Sequence, residues 1–185
     1  MTFTLRNACA ADIPSIAAIY RDAVLMGTAS YELAPPSEAE MAERFVAITA
    51  RGYPYIAAES ADGRLLGYSY ASAFRTRPAY RWLVEDSIYL AEDARGLGLG
   101  KALLNELAAR CAALGFRQMV AVIGGASDAS IGVHRACGFE MSGTLKGTGF
   151  KHGRWLDTVL MQIALGEGLT TDPDETAYPG TLFEG

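Results

Sequence analysis

The sequence predicts a single α/β domain in which helices flank a mixed, mostly antiparallel sheet. Two observations lead to this class. A strand–helix–strand order occupies residues 83–123, and β-rich pairs typical of hairpins lie on either side of it, at 55–73 and 143–165. The length of 185 residues suits one domain with a sizeable core, which we assign to residues 1–165. Residues 166–185 are predicted to form a C-terminal tail.

The N-terminal part predicts a strand, two helices and a hairpin. Residues 3–7 alternate apolar and polar side chains, which predicts a short strand, and Asp12 can cap the helix that follows. Ser37 and Glu40 form an S-x-x-E capping box, which predicts the start of a second helix. An Asp-Gly dipeptide then suits the tight turn of the hairpin at 55–73.

The C-terminal part supplies the remaining elements. The patterns predict strands at 83–90 and 119–123, a periodic helix at 100–114, a short helix at 130–137, and a last hairpin whose strands are 143–150 and 154–165.

Composition and charge exclude several classes of function. The net charge of −5 is dispersed, without the basic patch that nucleic acid needs. No apolar run reaches the roughly 20 residues of a membrane span, and the N-terminus lacks a signal-peptide pattern, so we expect a cytoplasmic protein. Cys9, Cys111 and Cys137 lie far apart without a CxxC pair, so we expect neither disulfides nor a metal site. Cys137 follows His134 by three residues, a spacing that packing explains as well as catalysis.

The segment Ala94-Arg95-Gly96-Leu97-Gly98-Leu99-Gly100-Lys101, here called the glycine loop, lies between a predicted strand and a predicted helix. Alternate glycines allow close approach of the backbone to an anion, and the free N–H groups of a helix N-terminus attract negative charge. Arg95 and Lys101 add two cations, which suit a pyrophosphate. A Walker loop is disfavoured because Arg95 and Ala102 replace its glycine and its Ser or Thr. A dinucleotide fingerprint also fails, since it requires glycine at position 101.

The glycine loop resembles the Q/R-x-x-G-x-G/A loop of the GNAT acetyltransferases, and the order of elements over residues 3–165 is similar to theirs. Four stretches, at 77–82, 84–90, 121–124 and 149–157, resemble the phosphinothricin and methionine sulfoximine N-acetyltransferase subfamily. The resemblance implies a sheet that splays open to admit the pantetheine arm of acetyl-CoA. It also implies that coenzyme A is held by Arg95, Gly96, Leu97, Gly98, Leu99, Gly100 and Lys101.

Formation of an amide from a thioester needs a base, because aliphatic amines are protonated at pH 7. Glu85 lies on the strand that enters the glycine loop, and its neighbours Trp82, Val84 and Ile88 are expected to raise its pKa. The resemblance implies that Glu85 is the general base, acting through water. Asp86 is the alternative, because a bulge in the strand would exchange the faces of the two carboxylates.

Other site residues follow from the resemblance. It implies that Ile88, Tyr89 and Leu90 contact the cofactor, with the backbone N–H groups of the first two stabilising the negative thioester oxygen. His134, four residues before Gly138, either protonates the leaving thiolate or packs and bonds the backbone. Ser127 takes the place of an asparagine that contacts the cofactor in many relatives, and its hydroxyl can bind through water.

The acceptor is expected to be a small amine. Arg77, together with Arg75, could bind the carboxylate of an amino-acid-like acceptor, in a pocket lined by Tyr31, Phe74 and Tyr80. The two arginines could equally be solvated residues of a loop. The subfamily implies a phosphinothricin, methionine sulfoximine or methionine sulfone type of α-amine, and the resemblance also favours a homodimer. A different amine, such as another amino acid, a polyamine or a peptide N-terminus, and a non-catalytic acyl-CoA sensor remain as alternatives.

Overall fold

A computed structural model describes residues 2–176, which form a seven-stranded sheet and four α-helices. The strands are β1 (Phe3–Asn7), β2 (Tyr55–Ser60), β3 (Leu65–Ala73), β4 (Leu83–Leu90), β5 (Gln118–Gly124), β6 (Glu140–Lys151) and β7 (Arg154–Ala164). The helices are α1 (Ile13–Met26), α2 (Glu38–Thr49), α3 (Leu99–Ala113) and α4 (Asp128–Ala136). The predicted class and the order of the elements are confirmed.

The strand order is β1-β2-β3-β4-β5-β7-β6, and among the described strands β4 and β5 form the one parallel pair. This parallel pairing is short. It runs from Leu83 opposite Gln118 to Glu85 opposite Val120, although β4 continues to Leu90 and β5 to Gly124. The two strands therefore diverge in the middle of the sheet, as the predicted splay requires.

Each face of the sheet carries its own core. Under α1 and α2, Ile16 and Val24 pack with Tyr68 of β3. On the other face, under α3 and α4, Leu103 and Leu107 pack with Met119 of β5. Because these side chains are fully or almost fully buried, truncation of one of them to alanine is expected to cost about 2–5 kcal/mol. The two cores hold β4 between them.

The capping box that opens α2 is formed as predicted. The Ser37 hydroxyl accepts a hydrogen bond from the Glu40 backbone N–H at 3.2 Å, and the Glu40 carboxylate accepts one from the Ser37 N–H at 2.7 Å. Such a cap contributes about 1 kcal/mol to helix stability. The cap also fixes the end of the α1–α2 loop, residues 27–37, to the first turn of α2.

The first part of the predicted tail lies against the body of the domain. Arg117, just before β5, donates hydrogen bonds to the Thr171 hydroxyl and the Asp172 carbonyl, both at 3.0 Å. Residues 177–185 of the tail lie outside the described residues. A domain limit at residue 165 stays a prediction. Among the described helices, none combines the length and the apolar character that a membrane crossing requires.

Candidate active site

A cavity of about 510 Å³ opens where β4 and β5 diverge. It is bounded by both strands, the glycine loop, α4 and the start of the α1–α2 loop. The lining consists of residues 27–29, 85–90, 95–96 and 121–124, together with Ala23, Gly100, Ser127, Ala129, Ser130, Val133 and His134. The divergence of the strands leaves backbone groups of both facing edges next to this space.

The glycine loop forms the end of the cavity next to α3. Gly96 and Gly98 have φ values of 77° and 78°, a region that side chains rarely adopt, and Gly98 is the N-cap of α3. The first N–H groups of α3 therefore point out of the helix without intrahelical partners, as an anion site requires. Arg95, Gly96 and Gly100 line the cavity, whereas Leu99 is buried in the core and anchors the helix.

The other predicted loop residues lie outside the lining. Leu97 and Lys101 are exposed, and neither they nor Gly98 borders the cavity among the described residues. Lys101 and Arg95 are both free to approach a phosphate from solvent, since their side chains lie at the surface beside the loop. The residues at the loop thus fit the pyrophosphate of coenzyme A.

Glu85 lines the cavity at the last position where β4 pairs with β5. Burial raises the pKa of its carboxyl group to about 7, and the negative charge of Asp86 adds to this rise, whereas the charge of Arg75 opposes it. A carboxyl group with such a pKa can accept and release a proton near neutral pH.

The neighbours of Glu85 are not all the expected ones. Val84 and Ile88 pack into the core under α3, on the opposite face of β4, because side chains alternate along a strand. The face of Glu85 is shared instead with Ser87 and with Tyr70 of β3, which pairs with Ser87. The prediction that Val84 and Ile88 surround the Glu85 carboxyl group was therefore wrong. The predicted rise in the pKa of Glu85 agrees with the structure.

Asp86 lies on the opposite face of β4 from Glu85, since the pairing of β3 with β4 runs through this region without a register shift. The bulge that would exchange the two carboxylates is absent from the described β4. The Asp86 Oδ2 atom lies 3.0 Å from Nε2 of His134, and both side chains are buried. Both residues also border the cavity.

His134 has partners at both ring nitrogens. Its Nδ1 atom lies 2.7 Å from the Ser130 carbonyl oxygen, so the backbone bond expected of a packing histidine is present. Burial lowers the pKa of His134, but the hydrogen bond and charge of Asp86 and the Ser130 carbonyl outweigh it, and the pKa lies above the ordinary value. Ser127 lines the cavity as well, and its hydroxyl caps α4 by accepting from the Ser130 N–H at 3.4 Å.

Tyr31 does not border the cavity among the described residues, and its place in an acceptor pocket stays a prediction. Its hydroxyl lies 2.7 Å from the Thr158 hydroxyl, donates to the Asp157 carbonyl at 3.0 Å and accepts from the Gly125 N–H at 3.2 Å. The ring lies against Gly149, where an added Cβ would come within 2.9 Å of it. Tyr31 therefore anchors the α1–α2 loop to β6 and β7, and residues 27–29 of the same loop line the cavity.

The remaining predicted acceptor residues lie in the connection between β3 and β4. The guanidinium of Arg75 lies 4.3 Å from the centre of the Phe74 ring, which meets the Tyr80 ring edge to face. Arg77 is exposed and precedes a single 3₁₀ turn. None of these four described residues borders the cavity, but the charge of Arg75 reaches Glu85.

A mixed sheet whose strands part beside the glycine loop and the N-terminus of the helix that follows it is the fold of the GNAT class of acyltransferases. Residues 5–160 match the family described as Acetyltransferase (GNAT) domain, and the chain belongs to this family. It is an acetyl-CoA-dependent N-acetyltransferase, and the family predicted from the glycine loop and the four stretches is confirmed.

Three relatives show how specific the similarity is. The crystal structure of a phosphinothricin acetyltransferase from Sinorhizobium meliloti in complex with acetyl-CoA is 64% identical, with a TM-score of 0.98 over 100% of both chains. The phosphinothricin N-acetyltransferase of Alcaligenes faecalis is 51% identical over 88% of this chain and 83% of its own. The L-methionine sulfoximine/L-methionine sulfone acetyltransferase of Pseudomonas paraeruginosa is 43% identical over 89% of this chain and 96% of its own.

Proposed function

We propose that the enzyme transfers the acetyl group of acetyl-CoA to the α-amine of a small amino-acid-like acceptor of the phosphinothricin, methionine sulfoximine or methionine sulfone type. The names of the three relatives support this acceptor class. The observation that carries the mechanism is Glu85, a carboxyl group with a pKa of about 7 at the point where β4 and β5 part. No covalent intermediate with the protein is needed.

When bound, acetyl-CoA supplies the acyl group as a reactive thioester. Glu85 accepts a proton from the acceptor ammonium through a water molecule, so that the amine becomes a nucleophile. The backbone N–H group of Ile88, on the diverging part of β4, stabilises the carbonyl oxygen as it gains negative charge. The N–H group of Tyr89 faces β3 instead, because N–H groups alternate between the two edges of a strand and that of Ala91 donates to Leu66 of β3. Leu90, Ser127 and the glycine loop hold the rest of the cofactor, and His134 supplies the proton that the leaving thiolate takes up.

Arg75 and Arg77 are proposed to bind the carboxylate of the acceptor. Arg75 is the better supported of the two, because its charge reaches Glu85 and so acts where the α-amine must lie. The Phe74 ring lies against the Arg75 guanidinium and limits the directions in which it can turn, and Tyr80 packs edge to face against Phe74. Tyr31 contributes by holding the loop that forms the facing wall.

We further propose that the protein acts as a homodimer in the cytoplasm. The hairpin of β6 and β7 lies at one edge of the sheet and exposes an aromatic pair, Phe150 and Trp155, which are 57% and 70% exposed. Exposed apolar clusters of this kind mark interaction surfaces. Light scattering after size exclusion should show that Trp155→Ser converts a dimer to a monomer, while Leu169→Ser, a change of an exposed residue elsewhere, leaves the dimer intact.

Release of free thiol from acetyl-CoA tests the proposed reaction. Methionine sulfoximine, methionine sulfone, phosphinothricin and spermidine are offered to the wild type, to Glu85→Gln and to Glu43→Gln, a matched change of an exposed carboxylate on α2. We expect turnover of the first three acceptors and a loss of at least 10²-fold in Glu85→Gln alone. Turnover of spermidine only would indicate a different acceptor. Cofactor binding without turnover of any amine would indicate an acyl-CoA sensor.

A further inference from the structure

The proposed reaction leaves one buried ionisable side chain of the cavity wall without a role. The side chain of Asp86 is only 2% exposed. Its Oδ2 atom contacts His134, whereas Oδ1 is buried and makes no hydrogen bond with the described residues. Burial of a carboxylate with so few partners is costly unless a cation compensates its charge.

The contacts of His134 determine which protons it carries. The Ser130 carbonyl oxygen can only accept, so the Nδ1 atom at 2.7 Å must donate. A neutral imidazole would then turn a lone pair on Nε2 towards Asp86 at 3.0 Å, which is attractive only when Asp86 is protonated. Two acceptors would otherwise face each other. A neutral imidazole beside a protonated Asp86 and a charged imidazole beside an ionised Asp86 both place one proton between Nε2 of His134 and Oδ2 of Asp86.

We propose that Asp86 is a positioning residue that holds this proton on His134, keeping the imidazole as an oriented cation in the wall of the cavity. The inference rests on the proposed function, in which His134 protonates the leaving thiolate. As the C–S bond breaks, its electron pair stays on sulfur. The Nε2–H group turns from Oδ2 of Asp86 to the sulfur, the S–H bond forms, and the Nε2–H bond breaks. His134 then remains neutral beside an ionised Asp86, an unfavourable contact that promotes uptake of the next proton from solvent.

Three other titratable groups lie within reach of the charge of Asp86: Glu85 on β4, Cys111 on α3 and Cys137 after α4. Burial raises the pKa of Cys111 to about 12, and it also raises the pKa of Cys137. Both thiols are therefore uncharged near pH 7. Near neutral pH, the net charge around the Asp86–His134 pair therefore depends on the ionisation of Glu85, Asp86 and His134.

Titration of the histidine rings by NMR tests the positioning directly, because the chain contains two histidines, His134 and His152. His152→Gln assigns the signals. In the wild type, we expect His134 to titrate above 6.5, its ordinary value. In Asp86→Asn, burial acts without a compensating charge, and the pKa should fall below that value. An unchanged pKa of His134 in this variant would overturn the proposal.

Kinetics then test whether the positioning matters for the reaction. Asp86→Asn should lower kcat by on the order of 10²-fold while KM for acetyl-CoA stays within about twofold. In a His134→Gln background, the same change should cost less than about twofold, because Asp86 acts through His134. An equal loss in both backgrounds, or an unchanged kcat, would overturn the proposal. Asp128→Asn, an exposed change on the same helix as His134, serves as the control.

Thermal unfolding of each variant separates loss of the fold from loss of the function. Asp86→Ser replaces Asp86→Asn if the latter does not fold, with the same expected loss of kcat and the same fall in the pKa of His134. Failure of the proposed function has a different signature: Glu85→Gln would then retain turnover, while the pKa of His134 would still depend on Asp86.

Discussion

Glu85 and Val120 are the last pair of residues that joins β4 to β5. The carboxyl group proposed as the base therefore lies where the sheet opens, half buried by the paired strands and facing the cavity that the diverging strands create. The same position explains two properties. Burial raises its pKa, and the opening gives an acceptor amine access to it.

The raised pKa of Glu85 predicts the acid side of the pH dependence of catalysis. The base must be ionised, so kcat/KM should fall about tenfold per pH unit below a midpoint near pH 7, the value of this pKa. Thiol release measured from pH 5.5 to 8.5 would show this fall as the acid limb of the pH profile. A profile that is flat below pH 7 would contradict the assignment of Glu85 as base.

The same group predicts a pH dependence of stability. The pKa of Glu85 rises from an ordinary 4.5 to about 7 on folding, so the folded state favours the protonated form. The contribution of the protonated Glu85 to the free energy of unfolding is therefore fully present below pH 4.5 and is lost as the pH rises through 7. Because glutamine does not titrate, Glu85→Gln should exceed the wild type in free energy of unfolding at pH 8, by up to about 3 kcal/mol.

Urea unfolding at pH 5 and pH 8 measures this difference. We expect the two proteins to differ little at pH 5 and clearly at pH 8. A variant that is less stable than the wild type by the same amount at both values would show that the carboxyl group is not protonated preferentially in the folded state.

The charge of Arg75 predicts a second effect on the pH profile. Arg75 opposes the rise in the pKa of Glu85, so Arg75→Gln should move the acid limb to higher pH. Arg77→Gln is the matched control and should leave the limb in place. Both changes should raise KM for carboxylate-bearing acceptors about tenfold or more. An unchanged KM in both variants would place the carboxylate of the acceptor elsewhere.

Local patterns in the sequence were sufficient for the parts of the site that are built from consecutive residues. The glycine loop was predicted because its glycines, its cations and the start of α3 are adjacent in the chain. Glu85 was predicted from the strand that carries it and from a family resemblance. Its face of the strand was harder to assign, because strand alternation shows which residues share a face but not which face packs under α3.

Contacts between distant segments could not be predicted in this way. Asp86 and His134 are 48 residues apart, and Tyr31 bonds Asp157 across 126 residues. No local periodicity encodes either contact. The strand β6 was predicted three residues too short at its start, since register shifts between Met141 and Gly143 and between Leu145 and Gly149 interrupt its alternation.

The packing of Tyr31 against Gly149 predicts a sharp difference between two glycines of β6. A Cβ on Gly149 would lie 2.9 Å from the Tyr31 ring, whereas a Cβ on Gly143 would meet nothing within 4 Å. Gly149→Ala should therefore displace the ring, cost about 1–3 kcal/mol of stability and raise KM for the acceptor by loosening the loop at 27–29. Gly143→Ala, measured alongside by thermal unfolding and acceptor titration, should behave like the wild type. If the two variants are equally stable and equally active, the close fit of Tyr31 does not hold the wall of the cavity in place.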